Sequence, residues 1–309
     1  MDIYLPIAQL SVNWTVILAM GTAAGFLSGM LGVSGGFIMT PLLIFYGIPS
    51  GVAVATQASP ISAAALVGAL AKSARGSVDF KMGFILLLGG VAGSFVGVHI
   101  FIYLQRLGQI DLVVELSYVL LLGSVGVIML AESAQAYLAA KRGAPPAGHT
   151  AGQHNWIHNL PFKMRFRASR IYVSAIPIVV LGFLVGVMTA ILGTGGAFLL
   201  IPAKIYLLRM RTTLAVGTSQ FQMCIVAFMT TFIHAATDHT VDIVLGVILI
   251  LGGVAGAQMG VRLGAKMRSE QLRIVFALLT LAIAAQLVVT LVRKPPDVYT
   301  LAMHGATSE

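Results

Sequence analysis

GVSGGFIMTP (Gly32–Pro41) and GTGGAFLLIP (Gly193–Pro202) are the stretches on which the fold turns. Each interrupts an apolar run with clustered glycines and then starts a new apolar run. The match is ordered: Gly32, Gly35, Phe37 and Pro41 recur 161 residues later as Gly193, Gly196, Phe198 and Pro202. Further along, Ala53, Val54 and Thr56 recur at an offset of 162 as Ala215, Val216 and Thr218. Val78, Asp79, the run Leu88–Gly93 and Gly97 recur at 163 as Val241, Asp242, Leu251–Gly256 and Gly260. Random apolar sequence would not keep Gly, Pro, Thr and Asp in this order. The chain is duplicated.

Composition says where such a chain lives. Of 309 residues 58% are hydrophobic and 9% charged, with mean hydropathy +0.95. A soluble domain carries roughly 25% charged residues, so a water-facing surface cannot be covered here. Ile3 to Ala71 contains no Asp, Glu, Lys, Arg or His, and a spanning helix needs only ~20 apolar residues. The opening residues lack the basic region and cleavage site of a signal peptide, so the first apolar segment is expected to be retained. The lone Cys224 excludes an intrachain disulfide.

Apolar runs place spans at about 14–33, 36–48, 52–71, 82–104, 112–138, 171–193, 196–208, 213–236, 242–263 and 271–292. The second and seventh are short, as tilted half-helices or arms of re-entrant hairpins. The fold class is therefore an all-α polytopic membrane protein of about ten helices. With the N-terminus outside, fifteen of the 19 Lys and Arg fall in cytoplasmic loops, and only Arg106, Arg293 and Lys294 lie outside. Lys204 sits near an inner helix end. The positive-inside rule thus favours outer termini. Five crossings then separate each residue from its counterpart, which makes the copies inverted: 1–138 is one five-helix repeat, 171–292 the other, 139–170 a cytoplasmic basic linker and 293–309 a tail.

The net charge of +9 is spread over short loops, which argues against a nucleic-acid partner. The linker's aromatic and basic residues suit the anionic cytoplasmic leaflet. His154 and His158 are four apart but lack acidic or Cys companions, so no metal and no cofactor is expected.

Inverted repeats in transporters hold substrate where broken helices meet. In each glycine run a new helix begins with free N–H groups and a positive dipole end, an anion cradle. This nominates Ser34, Gly35 and Gly36 in one copy and Thr194, Gly195 and Gly196 in the other. ATQASP (Ala55–Pro60) and GTSQFQ (Gly217–Gln222) add uncharged donors inside apolar helices: Thr56, Gln57, Ser59, Thr218, Ser219, Gln220 and Gln222. The GGVAG runs at 89–93 and 252–256 read as small-residue helix packing. Asp79 and Asp242 read as helix caps. Lys72, Arg75 and His234 are expected at solvated loops or interfaces, and no acidic residue at mid-span offers a proton relay.

The duplicated set of Gly-rich loop, Phe, short helix and Pro, then an A-V-x-T helix and a GGxxG helix, resembles the TauE/SafE family of sulfite and organosulfonate exporters. The resemblance covers roughly 14–292. It implies a transporter rather than an enzyme, with the Gly loops and adjoining Thr, Ser and Gln residues as its site. The carry-over is safer for Thr218 and Ser219, since the first copy reads ATQAS where the family pattern resembles GTS. What is expected is a multi-pass inner-membrane secondary transporter exporting sulfite or a sulfonate such as sulfoacetate. Its partners are the anionic substrate and the bilayer, with a homodimer left open. The alternatives are an uptake permease for a small organic anion and, more distantly, an intramembrane serine protease, for which Gly32–Gly35 spells G-x-S-G with His99 or His234 as base.

Overall fold

The computed structural model describes residues 2–31, 35–141, 161–166, 168–169, 171–206, 208, 210–264 and 269–292. They form ten helices: α1 Trp14–Leu31, α2 Gly36–Phe45, α3 Ser50–Ala74, α4 Phe80–Arg106, α5 Ile110–Lys141, α6 Ala175–Leu192, α7 Ala197–Tyr206, α8 Thr212–Thr237, α9 Ile243–Gly264 and α10 Ser269–Val292. Six stretches, within α3, α4, α5, α6, α8 and α9, are long and apolar enough to cross a bilayer. Many large side chains face outward, among them Leu88, Leu120 and Leu251. This is a multi-pass membrane protein. The α2 and α7 helices are ten residues each, about 15 Å and half a hydrocarbon core.

Two β-hairpins were not anticipated. Strands β1 Asp2–Leu5 and β2 Leu10–Asn13 pair antiparallel ahead of α1, and β3 Lys163–Phe166 and β4 Ile171–Ser174 do so ahead of α6. The apolar span expected from 171 thus starts as a strand, and α6 begins at Ala175. The hairpins match each other at the offset of 161. Leu5 and Phe166 are both fully buried, as are Val12 and Val173 almost completely. The duplicated unit is longer than its helices.

Packing between the halves is reciprocal. The α1 helix lies against α9, and their counterparts α6 and α4 lie against each other. A Cβ on Gly256 would sit 2.0 Å from the Thr22 carbonyl oxygen, and one on Gly25 2.2 Å from that of Gly253. In the matching pair, a Cβ on Gly93 would sit 2.1 Å from the Phe183 oxygen and one on Gly186 2.1 Å from that of Gly90. The GGVAG runs therefore bring helix backbones into direct contact, as small residues do in membranes. The α3 and α8 helices cross at the centre, and α5 packs on α10.

Candidate functional site

The α6 helix ends in a left-handed residue, Gly193 at φ +65°, whose N–H donates to the Thr189 carbonyl at 2.9 Å. Gly195 and Gly196 follow at φ +68° and +63°. Three positive-φ residues in four positions require glycine, because a Cβ disfavours this region. Thr194 Oγ1 accepts from the Gly196 N–H at 3.3 Å and steadies the turn, and α7 then begins with Leu199 and Leu200 bonded to the Gly196 carbonyl. In the first half, Gly35 plays the corresponding part, accepting from Ile38 and Met39. Gly32, Val33 and Ser34 lie outside the described residues.

The two breaks meet. A Cβ on Gly36 would lie 2.6 Å from the Gly193 carbonyl oxygen and 3.0 Å from that of Thr194. Gly193 in turn backs onto Val54 of α3, 2.7 Å from its carbonyl oxygen by the same measure. Beside this junction, Ser28, Gly35, Gln57 and Pro60 help to line a cavity of about 30 Å³. That is room for a water or two, so an anion could pass only if the breaks part. Gln57 is buried, and its Oε1 has no hydrogen-bond partner among the described residues. An unsatisfied buried amide is costly and calls for a reason.

The remaining predicted residues divide. Thr56 Oγ1 accepts from the Asp242 N–H at 2.9 Å, and Thr218 Oγ1 from the Asp79 N–H at 3.0 Å. These two threonines fasten each central helix to a helix start in the other half. The aspartates are helix caps: Asp79 Oδ1 accepts from the Met82 N–H and Asp242 Oδ1 from the Leu245 N–H, both at 3.1 Å. Their second oxygens hold the hairpins. Asp79 Oδ2 accepts from the Ser169 N–H and hydroxyl, and Asp242 Oδ2 from the Ile7 N–H. Ser59 donates to the Thr56 carbonyl. Gln220 faces Gly68 of α3, and Gln222 faces Gly90 of α4. Gln222 is fully buried with neither amide atom hydrogen-bonded among the described residues.

Two groups are more buried than the sequence suggested. Lys204, expected near a helix end, is fully buried on α7, about 12 Å along that helix from Gly196. Its Nζ donates to Ser219 Oγ at 2.9 Å, and Ser219 donates onward to the Ala215 carbonyl. Among the described residues Lys204 makes no ion pair. An unpaired cation inside a membrane bundle is expensive and usually functional. The signal was available: the repeat aligns Lys204 with Leu43, so the scaffold does not need a charge there. His234, expected at a solvated interface, is also fully buried. Its Nδ1 lies 2.8 Å from Asp238 Oδ2 and its Nε2 3.2 Å from the Ala190 carbonyl, with Phe101 edge-on. Tyr118 OH donates to the Leu192 carbonyl at 2.6 Å. His234 and Tyr118 thus brace the end of α6 just before its break.

The comparisons agree with this architecture. The family model described as sulfite exporter TauE/SafE matches residues 17–287. The chain belongs to the TauE/SafE family. A probable membrane transporter protein of Xylella fastidiosa (strain 9a5c) is 31% identical over 273 residues, covering 87% of this chain and 92% of its relative. The probable membrane transporter proteins YunE and YjnA of Bacillus subtilis (strain 168) are 22% and 26% identical, over 90% and 88% of this chain and 98% of each of theirs. No solved structure matches. As a TauE/SafE member the chain is a membrane transporter and not an enzyme. Ser34, on which the serine-protease alternative turned, lies outside the described residues; His99 is exposed and bonded to the Phe95 carbonyl, and His234 contacts Asp238 and Ala190.

Proposed function

We propose that this chain is a secondary transporter that exports a small anion, sulfite or an organosulfonate such as sulfoacetate, across the inner membrane. The observation that carries the reading is the meeting of the two Gly-rich breaks, Gly36 against Gly193 and Thr194. Helix starts at such a junction favour an anion. Lys204, held by Ser219, adds an amine donor that the first copy lacks.

The two units have inverted topology in this reading, with both termini on the outer side and the linker cytoplasmic. Reciprocal pairs support it: Thr56 serves Asp242 as Thr218 serves Asp79. Rocking one half against the other would open the junction first to one side and then to the other. The membrane potential drives export, since moving one charge outward yields ~2.3 kcal/mol per 100 mV. The substrate site in this reading comprises the two breaks with Gln57 beside them and Thr56, Ser59, Thr218, Ser219, Gln220 and Gln222 further along α3 and α8; Ser34 lies outside the described residues.

Purified protein in liposomes on a solid-supported membrane tests this. Anion jumps of sulfite, sulfoacetate, taurine, sulfate and thiosulfate should give current for sulfite or a sulfonate and little for sulfate. Folded protein silent to the whole panel would refute the reading.

A further inference from the structure

Hydrogen counting at His234 exposes a site that the anion path does not use. The ring sits between two acceptors, Asp238 Oδ2 at 2.8 Å from Nδ1 and the Ala190 carbonyl oxygen at 3.2 Å from Nε2. A backbone carbonyl can only accept, so Nε2 carries a hydrogen. Nδ1 then either carries a second hydrogen, giving an imidazolium beside a carboxylate, or accepts one from a neutral Asp238. Both arrangements hold one proton more than a neutral imidazole beside a carboxylate. Without that proton, the one remaining hydrogen stays on Nδ1 beside the carboxylate, the Nε2 lone pair faces the Ala190 carbonyl, and the grip on α6 parts.

We propose that the buried His234–Asp238 pair is a proton-binding site whose occupancy clasps the end of α6, so that proton binding is coupled to opening of the Gly193 break. The pair closes the C-terminal end of α8, and the side chains are 0% and 5% exposed. Asp238 Oδ1 is buried with no hydrogen-bond partner among the described residues. Through Nε2 the pair grips Ala190, three residues before the left-handed Gly193.

Of the titratable groups around the pair, His239 next along the chain is exposed. The α6 helix has no titratable residue, and α4 presents Phe101, its His99, Tyr103 and Arg106 being exposed. On α3 the near end carries Ser50, bonded to Asp111 of α5, and Lys72 lies at the far end. Also on α5, Tyr118 is spent on Leu192, and Glu115 lies a turn nearer the helix start. On α9, Asp242 caps its own helix and Arg262 lies in the last turn. Lys204 of α7 is bonded to Ser219, fifteen residues back along α8. No counterpart exists in the first half, where the matching stretch Ala71–Gly76 carries Lys72 and Arg75 and no acid. The site is thus an addition to one copy.

The proposal rests on the transport reading, and its test separates the two. Wild-type liposomes loaded with a pH-sensitive dye would be given a sulfoacetate gradient, because sulfite itself takes up protons near neutrality. Asp238→Asn keeps the size, donates an N–H to Nδ1 and preserves the grip on Ala190 without a removable proton. The wild type should shift internal pH as the anion moves, and D238N should carry the anion with that shift lost. Anion flux with no pH shift in the wild type, or an equal shift in D238N, overturns the proposal. If no sulfoacetate moves, the cargo reading fails, and the proton site is judged by melting in detergent across a pH series. The wild-type midpoint should then fall with alkali relative to D238N, because the clasp is present while the proton is bound and lost as it leaves. Parallel melting curves overturn the proton site.

Discussion

The two halves share a frame and differ in charge. Thr56 with Asp242 and Thr218 with Asp79 are equivalent to within 0.1 Å, at 2.9 and 3.0 Å. Around that frame, Leu43 and Gln57 in the first copy correspond to Lys204 and Ser219 in the second. Ala71–Gly76 carries two cations, whereas the C-terminal end of α8 carries a buried His–Asp pair. What recurs is what closes helix ends and lets backbones touch. What differs is what can hold an ion. A duplicated scaffold can be read for function by subtracting one copy from the other.

The comparison can be broken first at the frame. Gly256→Val and Gly93→Val each push a side chain into a backbone carbonyl 2.0 to 2.1 Å away. Each should cost about 3 kcal/mol or more and abolish monodisperse protein in size-exclusion chromatography. If one half tolerates the change, the halves do not pack reciprocally.

Next comes the charge. Lys204→Met should cut anion current at least about tenfold without lowering the melting temperature, because it removes a buried basic group. Leu43→Lys should lower the melting temperature by an amount equivalent to about 3 kcal/mol. Unchanged transport in K204M would return Lys204 to a packing role. A smaller contrast lies in the caps. Asp79→Ala loses three accepted hydrogen bonds and Asp242→Ala two, so the first should cost ~2–3 kcal/mol and the second ~1–2 kcal/mol in denaturant melts. Smallest, and equal, should be Thr56→Val and Thr218→Val at ~1 kcal/mol each.

Much of the fold was legible. The periodic gaps between apolar runs located all ten helices to within a few residues, and the repeat marked both glycine breaks, of which the second needs glycine for φ near +65°. The hairpins were missed because DIYL and KMRF are too short to show a period against apolar neighbours. Thr56 and Thr218 read as substrate donors; that their hydroxyls also accept from the opposite half is not visible in sequence. Lys204 does lie in the last turn of α7, as read; what sequence could not show for it or for His234 is that another helix covers the side chain.

The most direct test of alternating access at the junction is thiol accessibility at Gln57, which lines the cavity beside it. Gln57→Cys in a Cys224→Ser background would be exposed to a membrane-impermeant maleimide from each face in turn, with and without sulfoacetate. Labelling from both faces, slowed by the anion on both, is the predicted result. Labelling from one face only, or indifference to the anion, would contradict a single site shared by two opposed halves.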